Sequence, residues 1–309
     1  MKTIVLFGYF WLVCNQIFAQ NIYLKTFGKS THPAMIFLHG GPGYNSANFE
    51  YTTAQKLADA GFFIIVYDRR GEGRSPDAKA AFTFKETFQD LNRIYTQYKL
   101  KQATLLGHSF GGVVATLFAE RYPQKIQALV LVGAPMALQE TFRTILKRVK
   151  KIYQAQNDQT RLQYVDRIEQ MDKKSLQYSS YCFIQAMQNG FYAPKKVTDE
   201  AKSIYVQFGT NALLKKYAQQ MSYAAPQGFW KNEQYTTLDL TKPLERLKTK
   251  KLPIFGLYGQ EDGLYSAQQV EKLAKLIGKE NLMYYENCSH SVFIDQQSKF
   301  IQALKKWVN

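Results

Sequence analysis

The chain has little sulfur and little histidine. Three cysteines and four histidines in 309 residues give neither the spacing of a metal site nor the framework of a disulfide-stapled fold. A membrane-length apolar run is also missing, because the N-terminal run from Ile4 to Val13 is far shorter than the ~20 residues a spanning helix needs. Acid is scarce beside base: 40 Lys and Arg stand against 24 Asp and Glu, for a formal net charge of +16. More than half of that excess lies in residues 136–250, which hold 19 basic and 10 acidic side chains. A continuous basic face would attract nucleic acid or anionic lipid. Here the pairs Lys150-Lys151, Lys173-Lys174, Lys195-Lys196 and Lys215-Lys216 are scattered and no nucleic-acid motif accompanies them. The expectation is a solvated basic surface, with no nucleic-acid partner and no stable membrane insertion.

What is present is apolar content of 46%, enough for a large core and for one α/β domain carrying an insertion. At the N-terminus Met1, Lys2, the apolar run and a more polar stretch ending Ile17-Phe18-Ala19-Gln20-Asn21 have the form of a secretory signal peptide. Residues 1–20 are expected to be removed on export to the periplasm or medium; an uncleaved amphipathic anchor or a first strand is the alternative. Cys14 would suit lipid attachment only with a small residue before it, and Val13 is large. Beyond the leader only Cys182 and Cys288 remain. Export would permit a bridge between them, but nothing in the spacing argues for one, and two free thiols are expected.

The stretch Ala103–Tyr122, ATLLGHSFGGVVATLFAERY, organises the rest. It reads as a strand, a glycine-crowded turn and a helix from about Phe110 to Arg121, with Ser109 at the apex of G-x-S-x-G. A strand that reverses into a helix within two or three residues crowds its own backbone, and glycine on either side relieves the clash. The turn lifts the serine hydroxyl off the sheet, and the helix N-terminus behind it offers unpaired N–H groups and partial positive charge. Ser109 is the expected nucleophile. Upstream, the apolar strand Ala34–Leu38 ends in His39-Gly40-Gly41-Pro42-Gly43, a loop able to donate N–H groups to an oxyanion. Pro42 has no N–H, so Gly41 is the expected donor, with the Phe110 N–H as the second.

HGGPG at 39–43, DRRGEGRS at 68–75 and GHSFGG at 107–112 together resemble the α/β-hydrolase superfamily and, within it, the proline iminopeptidase group. The resemblance implies an α/β fold, a mostly parallel doubly wound sheet with an inserted helical cap. It departs at Phe110, where many proline iminopeptidases carry tryptophan; esterases and other amide hydrolases share a similar serine turn. The residue pattern agrees with the fold: strands Ile22–Phe27, Phe62–Tyr67, Ala128–Val132, Leu252–Tyr258 and Asn281–Glu286 alternate with helices at Ala54–Ala60, Thr87–Tyr98 and Ser266–Ile277. In the loop Asp68–Ser75 a catalytic carboxylate is possible, although ion-pair bracing of the neighbours is the expectation.

Residues 136–250 lose the strand pattern and turn helical, Gln-, Lys- and Tyr-rich, which places a cap after the sixth strand position, between core segments 21–135 and 251–309. Such a cap would exclude water and select substrate. In the iminopeptidases cap carboxylates bind the substrate amine; Glu140, Glu169, Glu200, Glu233 and Glu245 are available, and Gly40, Glu140 and Glu233 are taken as substrate contacts. Asp262 matches the family's G-x-x-D pattern, with Glu261 as the fallback acid. His32 precedes a proline, His39 belongs to the glycine loop and His108 adjoins the nucleophile, which leaves His290 as the base. The order Ser109, Asp262, His290 is that of the α/β-hydrolases. The resemblance therefore implies a serine hydrolase working through an acyl-enzyme without metal or organic cofactor, and the leader-like N-terminus adds the expectation of export. Its substrate would be a short peptide with N-terminal proline or, alternatively, a small ester or lactone. Each oxyanion donor would contribute roughly 3 kcal/mol. A non-catalytic binding protein would be expected to lack a triad member or the donor loop, and neither is missing.

Overall fold

The continuous apolar runs become strands buried on both faces. In a computed structural model, which describes residues 22–308, seven strands form one sheet: β1 (Leu24–Phe27), β2 (Ala34–Leu38), β3 (Phe63–Tyr67), β4 (Ala103–His108), β5 (Ile126–Val132), β6 (Ile254–Gly259) and β7 (Leu282–Tyr285). Their order is β1-β3-β2-β4-β5-β6-β7. All neighbours pair in parallel except β1 with β3. Residues 1–20, with Cys14 and the expected leader, lie outside the described residues.

Alternation along β2 splits the core in two. Ala34, Ile36 and Leu38 join one apolar cluster with the nucleophile helix, whereas Met35 and Phe37 join another with Phe49 and Phe293. Helices on both faces cover these clusters, as a parallel sheet requires. Cys182 belongs to the first cluster and Cys288 to the second, and both are free and buried.

Several element boundaries shift by a few residues from the sequence reading, as at the helix Phe84–Gln97, expected at Thr87–Tyr98, and two differences stand out. The helix expected at Ala54–Ala60 begins at Ala47 and includes a π-helical turn, Glu50–Ala54, before ending at Asp59. Its first half buries Glu50, Thr52 and Thr53, so the apolar periodicity that marks a helix fails there. The strand after Gln102 runs to His108, two residues past the apolar stretch.

Between β5 and β6 the chain is helical: Leu138–Ala155, Gln159–Gln170, Leu176–Gln188, Asp199–Tyr205, Gln207–Thr210, Ala212–Ala218, Ala224–Glu233 and Thr241–Thr249. This insertion follows β5, the strand that ends before the expected cap. Its last helix, Thr241–Thr249, packs against the helix Phe110–Arg121, with Arg246 paired to Glu120. That helix is therefore the crossover returning the chain to β6, and it belongs with the sheet.

Candidate active site

The serine turn is strained as its sequence demands. Ser109 holds φ +52° and ψ −124°, a conformation side-chain-bearing residues rarely adopt, and its N–H donates to Val132 O (3.0 Å) across the sheet. Glycine is required beside it, since a Cβ on Gly111 would lie 2.0 Å from Leu38 O and one on Gly107 2.6 Å from Gly112 Cα. Phe110 opens the following helix, so its N–H has no carbonyl four residues back within the helix to donate to.

The glycine loop is held from beneath by a buried ion pair. Arg69, 2% exposed, donates from Nη1 to His39 O (2.5 Å) and from Nη2 to Gly40 O (2.6 Å). Its Nε and Nη2 also reach Glu72 at 2.8 and 2.9 Å, and Glu72 Oε2 accepts the Gly43 N–H at 2.6 Å. Two carbonyls and one N–H around Gly41 are thereby engaged. His39 completes the brace: its Nε2 accepts the Arg69 N–H (3.0 Å) and its Nδ1 lies 2.8 Å from Gly40 O. Burial, helped by the Arg69 charge, pushes the His39 pKa well below the usual range, so the ring is neutral and donates from Nδ1.

Ion-pair bracing also accounts for the rest of the charged loop. Asp68 accepts from Ser46 and from Arg74, and Glu50 from Tyr23, Lys25 and Arg74. Burial pushes the Asp68 carboxyl up, but the Arg74 bonds and neighbouring positive charge outweigh it and leave the group below its ordinary value. Neither Asp68 nor Glu72 has oxygens turned to a second histidine, so the possible catalytic carboxylate of this loop is a structural one.

The acid and base loops meet at the same sheet edge. Asp262 follows β6 and His290 follows β7, and His290 Nδ1 lies 2.8 Å from Asp262 Oδ2, with the two residues 4% and 1% exposed. Asp262 Oδ1 accepts the Leu264 N–H (2.9 Å), which fixes the carboxylate plane. Glu261, the fallback acid, instead accepts the Lys195 N–H. With Nδ1 committed to Asp262, Nε2 is the His290 nitrogen left to serve a hydroxyl. His108 packs its ring 4.8 Å from that of His290 and donates from Nε2 to His290 O (3.1 Å). Burial, with the neighbouring His290, pushes His108 down to about 3, so it braces the base without carrying charge.

Ser109, Gly41 and Phe110 line one cavity together with Pro135, Leu138, Thr141, Phe183, Tyr235, Leu264 and Tyr265. Its volume is about 20 Å³, room for about one water. Leu138, Thr141, Phe183 and Tyr235 come from the insertion and roof the serine. A larger depression of about 320 Å³ lies between the helices Leu138–Ala155 and Ala267–Ile277, and it contains none of the residues of this chemistry apart from Glu140.

The substrate contacts assigned by resemblance fare differently. Gly40 adjoins the serine, a Cβ there lying 3.3 Å from Ser109 Cβ. Glu140 and Glu233 do not line the cavity. Glu140 faces Lys272 (3.4 Å) in the outer depression, and Glu233 Oε1 accepts the Phe84 N–H (2.7 Å), closing the N-terminus of another helix. Glu169 pairs with Lys150 and Glu200 with Ser298. None of the ten residues lining the cavity carries a carboxylate. Sequence reasoning missed Arg69 and Glu72 as the brace of the glycine loop; the signal was available in the Arg-x-x-Glu spacing of the charged loop, but nothing local says which backbone it holds. Among the described residues no group of three or more His, Cys, Asp or Glu could hold a metal ion, and no helix is long and apolar enough to cross a membrane.

Comparison with known proteins agrees with the fold. The family described as alpha/beta hydrolase fold matches residues 33–297. A proline iminopeptidase of Saccharolobus solfataricus is 24% identical, over 96% of this chain and 91% of that protein. The crystal structure of a proline iminopeptidase-related protein from Thermus thermophilus superposes with a TM-score of 0.64 at 21% identity, covering 93% of this chain and 94% of that one. An esterase from Exiguobacterium antarcticum gives 0.60 at 19% identity, covering 93% and 95%. At these identities the solved structures show the shared fold.

Proposed function

The chain belongs to the α/β-hydrolase fold family, and from that premise we propose that it is a serine hydrolase that cleaves a small ester or amide through an acyl-enzyme. The observation that carries this is the convergence of Ser109, Gly41 and Phe110 on one cavity whose lining residue Tyr265 packs 6.2 Å from the ring of His290, itself 2.8 Å from Asp262. The Ser109 oxygen attacks the substrate carbonyl while its proton passes to His290 Nε2, and Asp262 holds the imidazole tautomer and stabilises the cation. The oxyanion accepts the Gly41 and Phe110 N–H groups. Collapse of the tetrahedral species breaks the carbonyl bond to the leaving amine or alcohol, which departs with the proton from His290. Water, deprotonated by the same nitrogen, then releases the acid and restores Ser109.

The insertion acts as the cap in this reading. Leu138 and Phe183 with Leu264 offer an apolar wall to the acyl group, and the cavity is too small for any acyl group until the roof moves, so substrate entry requires cap displacement. Two substrate classes have support. The curated relatives named proline iminopeptidase favour release of an N-terminal prolyl residue. The lining favours a neutral acyl group, because an ammonium placed against it would lose hydration with no carboxylate in reach; a short-chain ester or lactone carries no such charge. Export rests on the leader-like residues 1–20 alone.

Hydrolysis of prolyl-naphthylamide, its N-acetyl derivative and a short-chain nitrophenyl ester, each with Ser109→Ala as control, separates these. Turnover of the free-amine prolyl substrate alone establishes an aminopeptidase. Ester turnover without amide cleavage establishes an esterase, and turnover that survives in Ser109→Ala would sink the serine mechanism itself.

A further inference from the structure

Both loops that carry the acid and the base are bonded to the insertion. From the helix Leu138–Ala155, the half-buried Arg148 donates Nη1 to Asp262 O (2.6 Å) and Nη2 to Tyr265 O (2.8 Å). One guanidinium thus clamps both ends of the turn that presents Asp262. Further along, a single carbonyl links the two loops: Phe191 O accepts the Gly263 N–H at 2.9 Å and the Ser289 hydroxyl at 3.1 Å. These donors are the residue after the acid and the residue before the base. The next side chain, Tyr192, sets its ring edge-on to His290 at 5.2 Å, and Lys195 N–H reaches Glu261.

The same stretch ends on a second contact to the base loop. Tyr205 donates its hydroxyl to Asp295 Oδ1 (2.6 Å), and Asp295 Oδ2 accepts the Ser289 N–H (2.8 Å). Asp295 and Ser289 are both fully buried, so this carboxylate has no water to replace a lost donor. The Thr198 hydroxyl also reaches Asp295 O at 3.3 Å. The residues on either side of the Asp262–His290 bond are therefore located by groups lying 66 to 117 positions away in the chain.

We propose that Arg148 and Tyr205 are positioning residues of the catalytic machinery: through the Asp262 turn and through Asp295 they hold the acid and base in register, so the insertion tunes the triad as well as covering Ser109. This rests on the reading of Ser109, Asp262 and His290 as nucleophile, acid and base. Neither residue touches the cavity, so each acts through another group. Loosening either tether lets the Asp262–His290 geometry relax, which weakens stabilisation of the imidazolium and lowers the pH at which the base becomes active.

The test uses the whole chain and a fluorophosphonate, which reports activation of Ser109 without presuming the natural substrate. The second-order labelling rate is measured against pH for the unaltered chain, Arg148→Met, Arg148→Lys, Tyr205→Phe and the neighbouring exposed Lys147→Met. The expected result is a tenfold or greater loss for Arg148→Met and Tyr205→Phe with a downward shift of the pH midpoint, partial recovery in Arg148→Lys, and no change in Lys147→Met. Tyr205→Phe removes only one oxygen and keeps the fold should Arg148→Met misfold. Rates and midpoint like the unaltered chain in both Tyr205→Phe and a folded Arg148→Met would overturn the proposal, as would a loss equal at every pH that tracks a lowered melting temperature. His290→Ala is the control for the underlying reading: labelling that survives this change refutes the triad itself, a result distinct from failure of the tethers.

Discussion

The two halves of the proposed site are built in opposite ways. The nucleophile and oxyanion half uses short stretches of the core, residues 39–43 and 107–112 on adjacent parallel strands, braced by Arg69 and Glu72 from the next strand's loop. The acid and base half sits on two loops that follow β6 and β7, and these are held largely by groups from the insertion. A site split in this way lets the insertion diverge for substrate while the oxyanion geometry stays with the sheet. It also makes the acid–base pair the half that a moving roof can disturb.

Breaking each half at its centre gives the largest effects. Ser109→Ala is expected to lower kcat by roughly 10⁶-fold, and Asp262→Asn by roughly 10⁴, with circular dichroism unchanged. Residual ester turnover within tenfold of the unaltered enzyme would transfer the nucleophile elsewhere.

Arg69→Met attacks the brace instead. It strands the buried Glu72 carboxylate and frees the carbonyls of His39 and Gly40, so a stability loss of about 3–5 kcal/mol is expected. Glu72→Gln keeps an acceptor for the Gly43 N–H and should fold, with kcat falling roughly 10- to 100-fold at constant KM if the Gly41 donor depends on the brace. A rise in KM alone would assign the pair to substrate binding.

Titration contrasts the halves without a change of substrate. His108 is held neutral in the fold, down to about 3, so the unfolded chain takes up the proton first as pH falls below about 6.5. The stability it lends is present above that pH and is lost towards about pH 3. Burial, against the Tyr205 and Ser289 bonds, pushes Asp295 the other way, up to about 6. The folded state then binds the proton more tightly, so this contribution is full below about pH 4 and lost as pH rises through about 6. Urea titrations from pH 3 to 8 should show a shallower acid limb in His108→Gln; an unchanged limb would mean that other groups dominate.

The smallest effects are expected at the cap carboxylates. Glu140→Gln should leave KM for prolyl-naphthylamide within twofold, since Glu140 lies outside the cavity. Glu233→Gln should cost about 1 kcal/mol of stability through the Phe84 N–H. A tenfold rise in KM for the free-amine substrate in either would mean that the roof, once moved, brings that carboxylate to the acyl group.

Sequence by itself determined the sheet and the serine half. Runs such as Ala34–Leu38 and Ile254–Gly259 are rich in apolar residues and buried at every position, which a strand covered on both faces needs. The glycines around Ser109 report backbone crowding that is local to the turn. His290 is singled out by elimination among four histidines; the end of a buried strand places an acidic loop at the sheet edge, and the family resemblance, through its G-x-x-D pattern, picks Asp262 over Glu261 within it. Tertiary structure alone decided what holds those loops. Arg148, Phe191 and Tyr205 carry no local pattern that names Asp262, Gly263 or Asp295 as partners, and Glu140 and Glu233 read as plausible amine ligands until packing turned them to Lys272 and Phe84. The physical reason is that strand burial and turn strain are set by neighbours in the chain, whereas hydrogen bonds between side chains and distant backbone depend on how separate segments pack.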